Sequence, residues 1–285
     1  MSSSQYCTVQ LNSWKAFKQF VQKFSANWAF RGQADGRWVL NNAIERTAFI
    51  RHHKGVEIEF TAEFQRGARN YLSKDETPNH LIEWLALMQH HGAPTRLLDL
   101  SKSPFIAAYF AYEIAYAKPE HSVAIWGINV HHLRKKALEL LADNFEDDLA
   151  QTNHLINETL FEKIFHRNDL SFVFPVEPFR MNRRYSLQQS IFVSTGIAEL
   201  SLMEQLNFLG SDIEKTVVKI EIPSSFRNEA LRDLLQMNLH RASLFPDLDG
   251  YAASLRLRYD SMQTPEEKHE EHESKLVDEN FPFFP

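Results

Sequence analysis

The segment from Ser103 to Ala117 constrains the fold of this chain more than any other segment does. Ser103 and Pro104 are typical of a helix start, because serine caps the first turn and proline fits the first helical position. The residues that follow, Phe105–Tyr112, are apolar on nearly every face of the predicted helix. Such a helix is buried in globular proteins. The sequence therefore predicts a central helix with the rest of a domain built around it.

The rest of the chain contains amphipathic helices and short apolar strands. Strands are predicted over Trp28–Phe30, Thr95–Leu100, Ser122–Val130, Gln188–Val193 and Thr216–Ile222. Helices are predicted over 14–24, 57–72, 81–88 and 228–239. Because helices outnumber strands and the strands are dispersed, we expect the α+β class. The expected architecture is a single helix-rich domain around a small mixed or antiparallel sheet.

The length of 285 residues lies near the upper limit for a single hydrophobic core. We expect one domain over residues 1–258 and a charged tail over 259–285, because the tail has no periodic apolar face. Residues 131–169 have the pattern of two polar helices and are a candidate helical insertion in the domain.

Composition and motifs exclude several classes of function. The chain has nine glycines and contains no GxGxxG, GxxxxGK[ST], GxSxG or HExxH motif. The net charge of −6 argues against broad nucleic-acid binding, and Cys7, the single cysteine, excludes thiolate zinc cages and internal disulfides. No secretory signal is visible, and no apolar run approaches the roughly 20 residues that span a bilayer. We therefore expect a cytoplasmic protein with no membrane segment and no metal site.

The first of three polar clusters, Phe30-Arg31-Gly32-Gln33, lies at the end of a predicted strand. Arg31 can present its planar fork to a phosphate or a carboxylate there, and Gly32 would let the backbone turn or a ligand approach closely. An internal salt bridge of Arg31 is the alternative, because buried arginines are nearly always paired. Arg31, Gly32 and Gln33 are thus candidate ligand-binding residues.

The second cluster, Gln89–Ser101, holds two imidazoles, a guanidinium, a carboxylate and two hydroxyls. Two adjacent histidines cannot face the same way on a helix, so they make a poor metal pair, and we expect one to face a pocket or the core and the other solvent. The arginine and the aspartate either contact a ligand or pair with each other and hold the loop. The candidate ligand-binding residues are His90, His91, Thr95, Arg96 and Asp99.

The third cluster, Arg183–Phe192, contains a polar segment that leads into an apolar strand. Gln188 is the side chain that we most expect to point inward together with Arg184, and a solvated basic turn is the alternative. Arg184 and Gln188 complete the set of candidate ligand-binding residues. The acidic and histidine-rich run at 266–273 is interpreted as a solvated charge run and not as a cation site.

Read together, the clusters resemble the FRG domain, a largely uncharacterised bacterial family named for a Phe-Arg-Gly tripeptide. Phe30-Arg31-Gly32-Gln33, followed by Trp38 and Leu40, is similar to the opening of that domain. The run from Trp84 through MQHHGAPTRLLDLSKSPFIAAYFA resembles its most distinctive block.

The resemblance covers about residues 14–258. Arg184 with Gln188 and Phe192 is similar to a later element of the family, and the segment 244–250 is similar to its C-terminal signature. Two departures are visible. Asn41-Asn42 stands where Pro-Ser-like residues are expected, and Ser190 stands where glycine is usual.

The order of the clusters also resembles, more weakly, that of ADP-ribosyltransferases. Those enzymes have an arginine or histidine element on an early strand, then a Ser/Thr-containing strand with a following helix, and finally a glutamate-bearing strand. This resemblance implies NAD as a candidate cofactor and Arg31, His91 and Gln188 as candidate catalytic residues. Gln188 is a departure, because a neutral amide can orient a ribose hydroxyl but does not stabilise a cationic transition state.

Two hypotheses follow for the function. In the first, the domain binds a nicotinamide or adenine nucleotide, or a similar small anionic ligand, and transfers or hydrolyses it. We then expect Arg31, one of the two histidines, Arg96 or Asp99, and Gln188 to line one pocket. In the second, the protein is a non-enzymatic interaction module that acts on a protein partner in bacterial stress or anti-phage defence.

Overall fold

A computed structural model of the chain describes residues 6–47, 52–115, 120–145, 157–180 and 183–262. The helices are α1 (Trp14–Val21), α2 (Ala43–Arg46), α3 (Val56–Ala68), α4 (Leu81–His90), α5 (Pro104–Glu113), α6 (Val130–Ala142), α7 (Glu158–Arg167), α8 (Arg183–Leu187), α9 (Leu202–Gln205), α10 (Ile213–Thr216), α11 (Arg227–Gln236), α12 (Arg241–Leu244) and α13 (Leu248–Met262). The strands are β1 (Cys7–Gln10), β2 (Trp28–Gln33), β3 (Leu97–Ser101), β4 (Ser122–Asn129), β5 (Val173–Val176), β6 (Ser190–Thr195) and β7 (Val217–Pro223). The predicted α+β class is confirmed.

Within the described ranges, the seven strands form one mixed sheet in the order β1-β7-β4-β2-β3-β6-β5. The edge pair β1 and β7 is parallel, and the other neighbouring pairs are antiparallel. The three strands that carry or follow the polar clusters, β2, β3 and β6, are therefore consecutive neighbours in the middle of the sheet.

The sheet is split between β2 and β3. Strand β2 pairs with β4 along its whole length, from Trp28 to Gln33, but it pairs with β3 only through Phe30 and Ser101. The sequence predicted a turn after Phe30, whereas the strand continues to Gln33 on the β4 side. Beyond the single bridge, the facing edges of β2 and β3 are free to accommodate side chains, and Arg31 lies at this opening.

Helix α5 covers the centre of one face of the sheet, as its apolar sequence predicts. The Ser103 hydroxyl accepts a hydrogen bond from the Ile106 amide, and Pro104 occupies the first helical position. The helix buries Ile106 and Tyr112 in one cluster with Val123 and Ile125 of β4. The contact with β2 is very close, because a Cβ on Gly32 would lie 1.8 Å from the Ala107 carbonyl oxygen.

Helices α6 and α7 correspond to the two polar helices predicted over 131–169. The apolar positions of α6 recur every four residues, and Leu133 and Leu141 are fully buried against the sheet and its covering helices. Helix α7 buries Phe161 and Phe165 in the same cluster as Phe174 and Phe192. Both helices therefore pack into the core of the domain rather than standing apart from it.

The first elements of the described chain, β1 and α1, contact β7 and α11, which lie far along the chain. Strand β1 pairs with β7, and the indole Nε1 of Trp14 in α1 donates to the Asp233 carboxylate of α11 at 2.8 Å. Helix α13 continues to Met262, a few residues past the predicted end of the domain, and the remainder of the predicted tail lies outside the described residues. In the part of the chain that the structure describes, no helix is both long enough and apolar enough to cross a membrane.

Candidate functional site

Arg31 projects into the split between β2 and β3. Its Nη1 donates to the backbone oxygen of Asp99 at 2.9 Å, while its Nε is buried and has no hydrogen-bond partner. Burial lowers the pKa of the guanidinium, the Asp99 carboxylate raises it, and nearby Arg46 lowers it. Arg31 therefore holds a positive charge in a poorly solvated place with a donor unused.

Asp99 faces the same opening from β3. Its Oδ2 accepts a hydrogen bond from the Gln89 side chain, whose own oxygen accepts from the Thr95 hydroxyl at 2.7 Å. Its Oδ1 is buried and unpaired. Burial raises the pKa of the Asp99 carboxyl, an effect that the neighbouring charge of Arg31 opposes. The chain Thr95–Gln89–Asp99 thus fixes one carboxylate oxygen and leaves the other oxygen available.

These groups line a cavity of about 190 Å³ between the strand split, helix α2 and the end of α4. Asn42 and Arg46 contribute from α2, and Gln89 and Gly92 from the end of α4. Asn42 is 1% exposed, and its Nδ2 is buried with no partner. The pocket is thus lined by two guanidiniums, one carboxylate and two amides.

Three residues that line the cavity each have one buried polar atom without a partner, and this is the distinctive feature of the site. Arg31 Nε and Asn42 Nδ2 are donors, and Asp99 Oδ1 is an acceptor. A buried polar atom without a partner costs about 1–3 kcal/mol. These three residues are therefore the candidate ligand contacts of the cavity.

Arg96, also a predicted ligand-binding residue, lies elsewhere and is fully paired. Its Nε donates to the Glu57 carboxylate at 2.7 Å, and its Nη1 donates to the Gly196 carbonyl at 3.1 Å. The guanidinium also stacks over the Phe165 ring at 4.4 Å. Arg96 pairs with Glu57 of α3 and not with Asp99, and it is not among the residues that line the pocket.

The two histidines at the end of α4 differ in environment. His90 is half-buried near Tyr185, and its Nδ1 is buried with no partner. Burial lowers the pKa of His90, and the charge of Arg184 lowers it further. His91 is exposed and ends the helix. Neither histidine is among the residues that line the pocket.

The third cluster contacts a different part of the chain. The Gln188 amide donates to the Leu244 carbonyl at 3.1 Å, and the Gln188 backbone oxygen accepts from the Ser101 hydroxyl at 2.8 Å. The Arg184 guanidinium stacks on the Phe245 ring at 4.4 Å. Arg184 and Gln188 therefore hold the segment after α12 against the end of β3, and neither lines the cavity.

Gln33 and Gly32 of the first cluster are occupied by contacts within the protein. The Gln33 side chain accepts from the Trp126 indole at 2.7 Å and donates to the Val39 carbonyl at 3.0 Å. Gly32 faces the backbone of α5 rather than a cavity. Of the predicted residues, the structure thus brings Arg31 and Asp99 together, with Thr95 in support.

Sequence reasoning missed three residues of the pocket. Gln89 lies within the second cluster but carries no charge that would have distinguished it. Asn42 was noticed only as a departure from the expected pattern of the family. Arg46 follows one turn after Asn42 on α2, and nothing in its local sequence pointed to the site.

The fold and this pocket define an α+β domain with a small polar cavity between two separated strands. Residues 26–120 match the family model of the FRG domain. This segment contains the described residues that line the cavity, including Arg31, Asn42 and Asp99. An FRG domain is therefore present in this segment, as its motifs indicate. No curated protein and no solved structure matches the chain.

Proposed function

We propose that this FRG domain binds a small anionic ligand of the nucleotide class in the pocket between β2 and β3. The observation that carries the proposal is that three residues lining one cavity, Arg31, Asn42 and Asp99, each keep a buried polar atom without a partner. Two guanidiniums against one carboxylate make the lining positive on balance, which favours an anion.

The size of the cavity further restricts which ligands fit. About 190 Å³ is below the roughly 300–1,000 Å³ of pockets that enclose drug-sized ligands. The pocket thus suits the sugar-phosphate portion of a nucleotide, with the base outside it. Arg31 would donate to the phosphate, and Asp99 Oδ1 would accept from a sugar hydroxyl, which is the division of roles that their free atoms allow.

ADP-ribosyl transfer from NAD is a second candidate. It is favoured by the adjacency of β2, β3 and β6, the strands associated with the three clusters. It is disfavoured by Gln188, because this amide carries no charge and already donates to the Leu244 carbonyl. We therefore propose that the domain binds the ligand. Release of nicotinamide from NAD would show that the domain also catalyses transfer or hydrolysis.

A thermal-shift screen tests the proposal with inorganic phosphate, ribose 5-phosphate, AMP, ADP-ribose and NAD. A ligand present at about 100 times its Kd stabilises the folded protein by about 2.7 kcal/mol. Arg31→Lys keeps the charge but loses the planar fork, so we expect affinity to fall by about 10- to 150-fold. Arg167→Lys is the matched control, since Arg167 lies at the end of α7 outside the pocket.

Two outcomes would contradict the proposal. One is that no phosphate-bearing probe stabilises the protein. The other is that Arg31→Lys binds the best probe as tightly as the wild-type protein does. Either result would favour the alternative hypothesis, in which the protein acts as a non-enzymatic interaction module through a protein partner.

A further inference from the structure

The amide of Asn42 has a fixed orientation. Its Oδ1 accepts from the Glu45 backbone amide at 3.0 Å, and its backbone amide donates to Glu45 Oε1 at 3.0 Å. The same Glu45 oxygen accepts from the Leu202 amide at 3.1 Å, which ties this capping box to α9. A flipped amide would place a donor against the Glu45 amide, so the orientation with Oδ1 at the cap is the stable one.

Because Oδ1 is used by the cap, the NH2 group is the part of the Asn42 side chain that remains available to a ligand. Asn42 Nδ2 is buried and unpaired, in a residue that is only 1% exposed and that lines the cavity. It can only donate, so its partner must be an acceptor oxygen. The cap thus holds a donor in place at the pocket in the absence of any partner within the protein.

Residues from three separate positions of the chain line the pocket and carry hydrogen-bond donors. Arg31 comes from β2, Asn42 from the residue before α2, and Arg46 from the last position of α2. A phosphate monoester has three terminal oxygens to accept from three donors, whereas a carboxylate has two oxygens in one plane. The number of donors therefore fits a phosphate better than a carboxylate.

We infer that Asn42 is a specificity-determining residue that donates from Nδ2 to a phosphate oxygen and makes the pocket select phosphate monoesters over carboxylates. The inference rests on the proposed function and deepens it, because it names the anionic group that the pocket takes. Its charge-assisted hydrogen bond corresponds to about a 10- to 150-fold difference in affinity.

The test measures the binding of AMP and of adenosine 5′-carboxylate by calorimetry, since the two probes share the adenine base and the ribose ring and differ in the group attached at C4′. Asn42→Ser retains a good helix cap but removes the amide donor, and Asn42→Asp retains the cap while placing a carboxylate oxygen there. We expect Asn42→Ser to lose about 10- to 150-fold in AMP affinity and to leave the carboxylate analogue unchanged. Asn42→Asp should lose more, because it repels the anion.

Asn157→Ser is the matched control. Asn157 also caps a helix with its side chain, accepting from the Leu160 amide at 2.9 Å, but it does not line the pocket. Its replacement should leave AMP binding unchanged. Thermal unfolding of all three variants checks that the folded state persists.

The outcomes distinguish a failure of the proposed function from a failure of the inference about Asn42. If no phosphate-bearing probe bound the wild-type protein, the proposed function would be wrong, and the role of Asn42 would fail with it. If ADP-ribose or NAD bound but AMP did not, the proposed function would stand and the inference that the pocket selects phosphate monoesters would be overturned. If the wild-type protein and both Asn42 variants bound AMP equally well, and Arg31→Lys did not, only the inference about Asn42 would be overturned. Equal loss of AMP and of the carboxylate analogue in Asn42→Ser would also overturn the selectivity for phosphate.

Discussion

Arg31 and Arg96 show why residue type alone did not identify the site. Both arginines lie beside short strands in polar motifs, and both were predicted to contact a ligand. Arg96 is paired on every side, whereas Arg31 makes one hydrogen bond and keeps a buried Nε without a partner. The difference depends on Glu57, which is 39 positions from Arg96 in the chain, and no local pattern shows that contact.

This contrast predicts that the same substitution changes stability by different amounts at the two positions. Arg96→Ala leaves the Glu57 carboxylate buried and unpaired, so the free energy of unfolding should fall by about 3–5 kcal/mol. Arg31→Ala removes one hydrogen bond and the charge beside Asp99, but it also removes an unpaired buried donor, and Asp99 keeps its hydrogen bond from Gln89, so the loss should be smaller, about 1–3 kcal/mol. Urea denaturation of both variants measures the difference. A loss in Arg31→Ala as large as that in Arg96→Ala would make Arg31 a structural residue.

At the scale of elements, caps and periodicity predicted α1, α3–α7 and α11, whereas the long helix α13 and the short helices α2, α8–α10 and α12 were not predicted. The start of α5 follows from Ser103 and Pro104, and the start of α1 follows from Ser13, whose hydroxyl accepts from the Ala16 amide. Strands β1 and β5 were missed. Strand β1 is short and largely exposed, and β5 contains Pro175, which is tolerated because β5 is an edge strand. The split between β2 and β3 depends on pairing across the sheet and has no local sequence signal.

The sequence predicted that Gly32 permits a close approach, but not which part of the protein approaches it. The close approach that it permits is that of helix α5, since a Cβ there would lie 1.8 Å from the Ala107 oxygen and 2.7 Å from the Ala111 nitrogen. Both are backbone atoms, which cannot move aside without shifting the helix. The position therefore fixes how closely the central helix packs on β2.

We expect Gly32→Ala to lower the free energy of unfolding by at least about 1–3 kcal/mol, the usual cost of overpacking a core. Gly67→Ala is the control. Gly67 lies in helix α3 with no atom within 4 Å of an added Cβ, so alanine there should stabilise the protein by about 0.5–1 kcal/mol. Chemical denaturation measures both changes. An unchanged stability in Gly32→Ala would mean that α5 does not pack on β2 as described.

At the scale of the whole molecule, the strands in the segment that matches the FRG family form most of their pairing with strands outside that segment. Strand β2 forms its long ladder with β4, and β3 forms its ladder with β6, and both partner strands follow residue 120. The first helix is joined to Asp233 through Trp14, across 219 positions of the chain. Sequence patterns predicted the strands that form the sheet, but the order of strands in it depends on these distant contacts.

The segment 26–120 expressed alone should therefore fail to fold. It would contain β2 and β3 with one residue pair between them, and two strands so weakly joined are not stable in water. Helix α5 would also lose the apolar residues of β4 and β7 that cover it, including Val123, Ile125 and Ile220. We expect circular dichroism to show no cooperative thermal transition for this segment and hydrogen exchange to show no protected amides, with the full-length chain as the control that has both. A cooperative transition in the segment would show that the pocket residues form an independent unit, and the ladders to β4 and β6 would then not be required for the site.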